Sequence, residues 1–424
     1  MKEGKRRIDD CRLPIDDWKR RVGKPRGPFN GPSTVKGPLF QSSIVNRSRQ
    51  AGSILHSALA LVVILICASV AAAQNPALYT RWENFTQANG LPDDKVLSVA
   101  VDGDRVWAGT ENGLALIEKG KVERVFQVKD GLSHRVVAGL AVDKNTGDLW
   151  IATFGGLSRL SGGEFKNYTN LTSGLANDIV YAAAIQGEYV WAATTAGISR
   201  LNTRTGEWSI FNEKNAPMHE PWSYGIAVSD TKVYFAVWGG GVLEYDIAGG
   251  YWKPYNDPDG EMEIVLFRNQ GLIHDIVSGI AYNPETKMFW ASTYFGLSGY
   301  DGRNWHNYLS TDSGLASDFV NAPKSRGNEV WACTDKGLSN LDFSTGTWVT
   351  YRPSTEGQHG EILITTPDKK VSRVETPTSI AHNYTLNLDF QGDDIWVATA
   401  QGLSHGIRKP LKEISSHESA RSGH

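Results

Sequence analysis

The chain is predicted to be all-β: a seven-bladed β-propeller with four antiparallel strands per blade. Three observations point there. First, one strand-like motif, [VILF]-[WY]-x-[AG]-T-x-x-G-[LI]-x-x-[LIY], returns in close copies along the 424 residues. The copies are VWAGTENGLALI (106–117), LWIATFGGLSRL (149–160), VWAATTAGISRL (190–201), FWASTYFGLSGY (289–300), VWACTDKGLSNL (330–341) and IWVATAQGLSHG (395–406), with a degenerate VYFAVWGGGVLEY at 233–245. Second, the aromatic residue steps by 43, 41, 43, 56, 41 and 65 positions, so the unit is about 42 residues with two insertions. Third, the two ends complement each other. The last unit stops near Gly406 with no W-x-x-[FY] run after it, while a spare run, WENF (82–85), precedes the first unit. The 82–85 strand is expected to complete the seventh blade and close the ring, which removes open sheet edges.

Within a unit, apolar and small residues alternate with period two between glycine-containing turns, the pattern of short strands. The SVAVDG-like segment is read as the first, innermost strand, followed by VWAGT-like and GLSRL-like strands. The fourth is WSIF (208–211), WKPY (252–255), WHNY (305–308) or WVTY (348–351). Four strands in about 42 residues are the dimensions of a propeller blade. Small residues in the second strand suit crowded packing near the axis, and Trp107, Trp150, Trp191, Trp290, Trp331 and Trp396 are expected to fill the seams between blades.

Ahead of the repeats, residues 1–50 carry 13 Lys/Arg against 5 Asp/Glu, and residues 51–73 carry none of the four. The first segment reads as a basic, disordered extension or a mis-assigned start. Residues 54–73, ILHSALALVVILICASVAAA, read as a secretory signal ending in Ala71-Ala72-Ala73, or as an uncleaved anchor to the inner membrane. The expected location is therefore periplasmic or secreted, with membrane contact only if 54–73 is retained. The propeller spans 78–408, and 409–424 is a polar tail. From Gln74 onward there are 30 basic and 41 acidic residues, a net of −11. A body of that sign repels phosphate backbones, which argues against nucleic-acid binding. Beyond the leader only Cys333 remains, so no intramolecular disulfide can form there.

The stretch GLPDDKVLSVAVDGDRVWAGTENGLALI resembles the repeat of the two-component regulator propellers, whose pattern runs roughly G-L-P-x-N-x-V … W-x-G-T-x-x-G-L. The similarity extends over about residues 78–408. It implies an extracytoplasmic, sensor-type propeller that binds carbohydrate breakdown products or other ligands on behalf of a membrane kinase. No segment after Gly406 reads as a transmembrane helix, a kinase or a DNA-binding domain, so a module without its own output is expected.

Each unit opens with a lead-in turn: GLPDDKV (90–96), GLSHRVV (131–137), GLANDIV (174–180), GLIHDIV (271–277) and GLASDFV (314–320). Its fourth position holds Asp93, His134, Asn177, Glu220, His274, Ser317 and His382; its fifth holds Asp94, Arg135, Asp178, Pro221, Asp275, Asp318 and Asn383. These residues should ring one mouth of the central channel. They are either turn formers, as Asp, Asn and Ser commonly are, or a polar rim for a ligand. The candidate polar contacts are His134, Asp178, His274, Asp275, Asp318 and His382. The turns between second and third strands reach the same face and add Phe154, Trp238, Tyr294 and Phe295 as candidate apolar contacts for sugars or other flat ligands. Two insertions, 256–270 and 352–381, are expected on that face too; the second reads as a hairpin turning at Pro367-Asp368-Lys369. Asp257 and Asp259 weakly resemble the start of a calcium loop but lack its later ligands; no other cofactor is implied.

No P-loop, HExxH, GxGxxG or CxxC pattern occurs. The expected function is a ligand- or protein-binding module acting on the insertion-bearing face, leaning away from catalysis. One rival is a propeller lyase or hydrolase with a channel-mouth His as base. Another is a structural subunit of a cell-envelope complex.

Overall fold

The structure is a computed structural model and describes residues 78–260, 268–355 and 359–409. The segments 1–50 and 54–73 and the 410–424 part of the tail lie outside the described residues. Six sheets of four antiparallel strands and one of six make seven blades, each built from the axis outward in chain order except the seventh, whose outer strand comes from the start of the propeller. The innermost strands begin at Val96, Val137, Val180, Ser223, Val277, Val320 and Thr385.

Closure follows the predicted route with a longer strand. Leu78–Phe85, rather than 82–85 alone, pairs antiparallel with Gly402–Lys409 and becomes the outer strand of the seventh blade. The extra four residues are not polar lead: Leu78 and Tyr79 are fully buried between the sixth and seventh blades.

The blades are joined by seven apolar clusters, one per seam. The tryptophan of each second strand packs onto the next blade: Trp107 against Val137, Leu149 and Ile151, Trp150 against Val190 and Ala192, and Trp396 against Val99 and Val106 of the first blade. All six such tryptophans are buried. In the degenerate fourth blade Tyr234 takes the position and packs on Ile280 and Phe289.

The T-x-x-G step ends each second strand in the same way. In all six copies the threonine hydroxyl donates to the glycine carbonyl at 2.7–2.9 Å. The glycine is required twice over: at Gly156 φ is +117°, and a Cβ would lie 2.4 Å from the Tyr168 carbonyl oxygen of the fourth strand.

The second insertion lies elsewhere than expected. Its hairpin does turn at Pro367-Asp368-Lys369, where Lys369 (φ +63°) donates its amide to Thr366 at 2.8 Å. Its strands, Gly360–Thr365 and Val371–Thr376, however, extend the sixth blade outward to six strands. Ile362 joins Leu78, Tyr79 and Trp82 in one cluster. The Trp82 amide donates to Thr378 Oγ1 at 2.7 Å and the Asn84 side-chain amide to the Ser379 carbonyl at 3.1 Å. The apolar alternation EILIT had a free sheet edge within reach, and pairing with it satisfied backbone groups that a loop over the channel would leave to water. The insertion thus latches the closing strand.

Candidate functional site

In an up-and-down blade, the turn after the second strand and the connection after the fourth emerge at the same end. The lead-in turns, the T-x-x-G turns and residues 256–260 therefore share one face around the axis. An axial cavity of about 650 Å³ runs beneath it, lined by the innermost strands of all seven blades.

The lead-in turns prove to be one repeated device. The fourth-position side chain accepts the backbone amide two residues on: Asp93 from Lys95 (2.9 Å), His134 from Val136 (3.1 Å), Asn177 from Ile179 (2.8 Å), His274 from Ile276 (2.9 Å), Ser317 from Phe319 (3.3 Å) and His382 from Tyr384 (3.0 Å). Each histidine accepts through Nδ1, so the neutral ring carries its proton on Nε2. What it can offer a ligand is a donor. His274 offers little even of that: it is 5% exposed and stacks beneath Phe295 at 4.1 Å. Burial lowers its pKa to about 4, against a smaller opposing pull from Asp259. His134 and His382 are half-buried and also lowered, His134 by burial first and then by Arg135, His382 by burial.

The fifth-position acids knit the turn to the segment before it. Asp94, Asp178, Asp275 and Asp318 accept the amides of Gln87, Asn170, Asp257 and Ser310 at 2.6–2.8 Å. Their backbone also stitches neighbouring blades, since the carbonyls of Asp178, Asp275 and Asp318 accept from Gly156, Gly241 and Gly296 of the preceding blade at 2.7–3.0 Å. Asp257 donates its amide to Asp275 while its own carboxylate accepts from the Asp259 amide. Burial, with the charges of Asp259 and Asp275, raises the Asp257 pKa to about 6. Among the described residues no three His, Cys, Asp or Glu are gathered so as to hold a metal ion.

The aromatic candidates separate. Phe295 covers His274, whereas Phe154, Trp238 and Tyr294 belong to a continuous belt that follows the channel mouth. Phe154 meets Tyr181 at 5.4 Å, Tyr181 meets Tyr224 at 4.3 Å, and Tyr224 meets Trp238 at 5.2 Å. Trp238 meets Tyr294 edge-on at 4.9 Å, Tyr294 stacks on Phe319 at 3.8 Å, and Phe319 approaches Tyr384 at 6.4 Å. The belt draws on blades two to seven. It is interrupted at the first blade, where Lys95 pairs with Glu111 at 2.6 Å.

Sequence reasoning missed Tyr181, Phe319 and Tyr384. For Tyr181 the structural reason is a β-bulge that every innermost strand carries one residue after its start, at Leu97, Ala138, Tyr181, Tyr224, Ser278, Asn321 and Leu386, whereas Phe319 and Tyr384 stand one residue before the strands that start at Val320 and Thr385. A bulge re-aims its side chain, and all seven line the cavity. The available signal was the column of residues flanking the strand start, which the repeat alignment brings into register. The belt tyrosines sit in apolar surroundings: Tyr224 and Tyr294 have strongly raised pKa values, from burial first and then from the neighbouring phenols.

No protein-family model matches the chain. No curated protein matches it either. Solved structures do. The extracellular domain assigned to a hybrid two-component system of B. thetaiotaomicron superposes with a TM-score of 0.58 at 17% identity, covering 79% of this chain and 42% of that one. The extracellular domain assigned to a one-component system from the same organism gives 0.56 at 16%, covering 77% and 40%. A catalytically inactive virginiamycin B lyase from Staphylococcus aureus, solved with quinupristin, gives 0.53 at 14%, covering 77% and 98%. The chain spans about two fifths of the length of the sensor domains it matches. At these identities the likeness shows the fold alone, that of a propeller. Among the described residues no helix is long and apolar enough to cross a membrane.

Proposed function

We propose that the chain is an extracytoplasmic, sensor-like binding module, periplasmic or secreted, whose ligand sits on the aromatic belt at the channel mouth. The observation that carries this is the belt itself. Seven aromatic side chains from six blades meet in sequence where a propeller scaffold needs none, because the seams are already filled by the second-strand tryptophans. A contiguous aromatic surface around a concave mouth is suited to flat ligands, carbohydrate rings among them, or to a protein side chain. The turn acids and histidines support this surface rather than compose it.

The test is a screen of glycans and small molecules by tryptophan fluorescence, repeated on Trp238→Leu. Binding that disappears in the variant, with the melting curve unchanged, supports the proposal. Ligands that bind both forms equally would sink it.

A lyase reading has one observation in its favour, the 98% coverage of the virginiamycin B lyase chain. It needs a histidine with a free basic nitrogen, and in His134, His274 and His382 Nδ1 already holds a turn amide. A direct assay for turnover of quinupristin decides it: turnover by the wild type that is lost in His134→Ala would favour the enzyme.

A further inference from the structure

The belt carries a charge preference of its own. At its blade-six and blade-seven end, Asp335 Oδ1 and Asn383 Oδ1 are buried atoms without a donor among the described residues. Local backbone bonds hold them at the belt. The Asp335 amide donates to the Phe319 carbonyl at 3.4 Å, and Gly337, two residues on, donates to the Asn383 carbonyl at 2.8 Å. The Asp335 charge acts on the Tyr384 hydroxyl, which in turn acts on that of Tyr294. Both unpartnered oxygens are acceptors, and burying acceptors without donors is costly.

The remaining electrostatics have the same sign. Aromatic faces carry negative potential and attract cations. Four of the seven lead-in turns place an aspartate at the fifth position, and the sequence from Gln74 onward carries a net of −11. Of the cations on this face, Lys95 pairs with Glu111 and Arg268 with Asp312, while Lys129, Arg135, Lys214 and Lys336 are exposed to solvent.

We infer that the belt recognises an organic cation, an ammonium centre on a compact apolar body, seated on Tyr294, Phe319 and Tyr384 with its charge toward Asp335. A neutral ligand leaves the Asp335 oxygen without a counter-charge, and an anionic one is repelled by it. The inference rests on the belt being the binding site, as proposed above, and adds the ligand's sign.

Choline and its uncharged isostere 3,3-dimethylbutan-1-ol, titrated into the full chain and followed by tryptophan fluorescence and calorimetry, test it. Choline should bind saturably and at least about tenfold more tightly than the isostere, because only the ammonium gains from the ring faces. Tyr294→Leu should abolish that binding, and the isosteric Asp335→Asn should weaken it about tenfold or more without changing the melting curve. Equal binding of the two probes, no saturable binding of choline, or an Asp335→Asn variant that binds choline like wild type would overturn the inference. A neutral glycan that binds wild type but not Tyr294→Leu, while choline does not bind, overturns the cation preference and leaves the belt as the site. Failure of every probe and glycan overturns both.

Discussion

Replacing His274 separates turn-building from titration. Its Nδ1 is the acceptor for the Ile276 amide at 2.9 Å, and the ring is 5% exposed. His274→Ala strands a buried amide, at a cost of about 1–3 kcal/mol. His274→Asn keeps an acceptor in the geometry that Asn177 already uses in the third blade, at 2.8 Å, so it should cost less at about pH 7.5. The pH dependence is the sharper reading. The folded pKa is about 4 against an unfolded 6.5, so the unfolded chain takes up the proton first. Stability from this group is complete above 6.5 and is lost as pH falls toward 4. Between about pH 7.5 and pH 5 the loss amounts to roughly 2 kcal/mol. Asp257, raised to about 6, works in the opposite sense over the same window, so the wild-type curve alone mixes the two. The decisive quantity is the difference between wild type and His274→Asn in urea-unfolding free energy at the two pH values. It should be about 2 kcal/mol, the wild type losing that much more stability than the variant between about pH 7.5 and pH 5. A difference below about 0.5 kcal/mol, or an Asn variant less stable than the Ala variant at about pH 7.5, would refute the assignment of His274 as a buried neutral turn former.

Four further outcomes follow from the geometry. Gly156→Ala combines a positive φ of +117° with a Cβ 2.4 Å from the Tyr168 carbonyl, and should cost about 3 kcal/mol or more; Gly162→Ala, at φ +58° with nothing within 4 Å, should cost about 1 kcal/mol, both read by urea unfolding. Trp82→Ala should cost about 3–5 kcal/mol, since the indole is buried against Tyr79 and Tyr351 and donates to the Tyr79 carbonyl at 3.2 Å. Replacing the hairpin Gly360–Thr376 by a short linker should speed amide exchange across Leu78–Phe85 relative to the third blade, and unchanged protection there would count against the latch. Cys333, fully buried with its thiol pushed up to about 12, should be inert to a disulfide reagent in the native protein and react once unfolded.

The parts of the fold that were legible share one property: each recurs in most blades, with the fourth blade the degenerate copy. The T-x-x-G step, the seam tryptophan and the spare W-x-x-F strand recur because one blade cannot bury its faces alone, so periodicity reports them directly. The candidate site was legible in outline only. The lead-in turns were located correctly, but whether His274 faced a ligand or an amide depended on whether Phe295 lay over it. Phe154, Trp238 and Tyr294 were picked out from the T-x-x-G turns, whereas their partners Tyr181, Phe319 and Tyr384 come from other blades and from two repeat columns that are aromatic in only some copies, one holding Tyr181 and Tyr224 and the other Trp222, Phe319 and Tyr384.

By itself, then, the sequence determined the number of blades, their strand order and the closure of the ring, because these rest on local patterns and on repetition. Only the tertiary structure decided where the insertion at 352–381 goes and which aromatics form a surface. A hairpin pairs with whichever free edge lies within reach, and Leu78, Tyr79 and Trp82 supplied apolar cover beside the edge of the sixth blade. Tyr181, Tyr294 and Tyr384 are separated by about a hundred residues in the chain, and become neighbours along one mouth only when seven blades close around an axis.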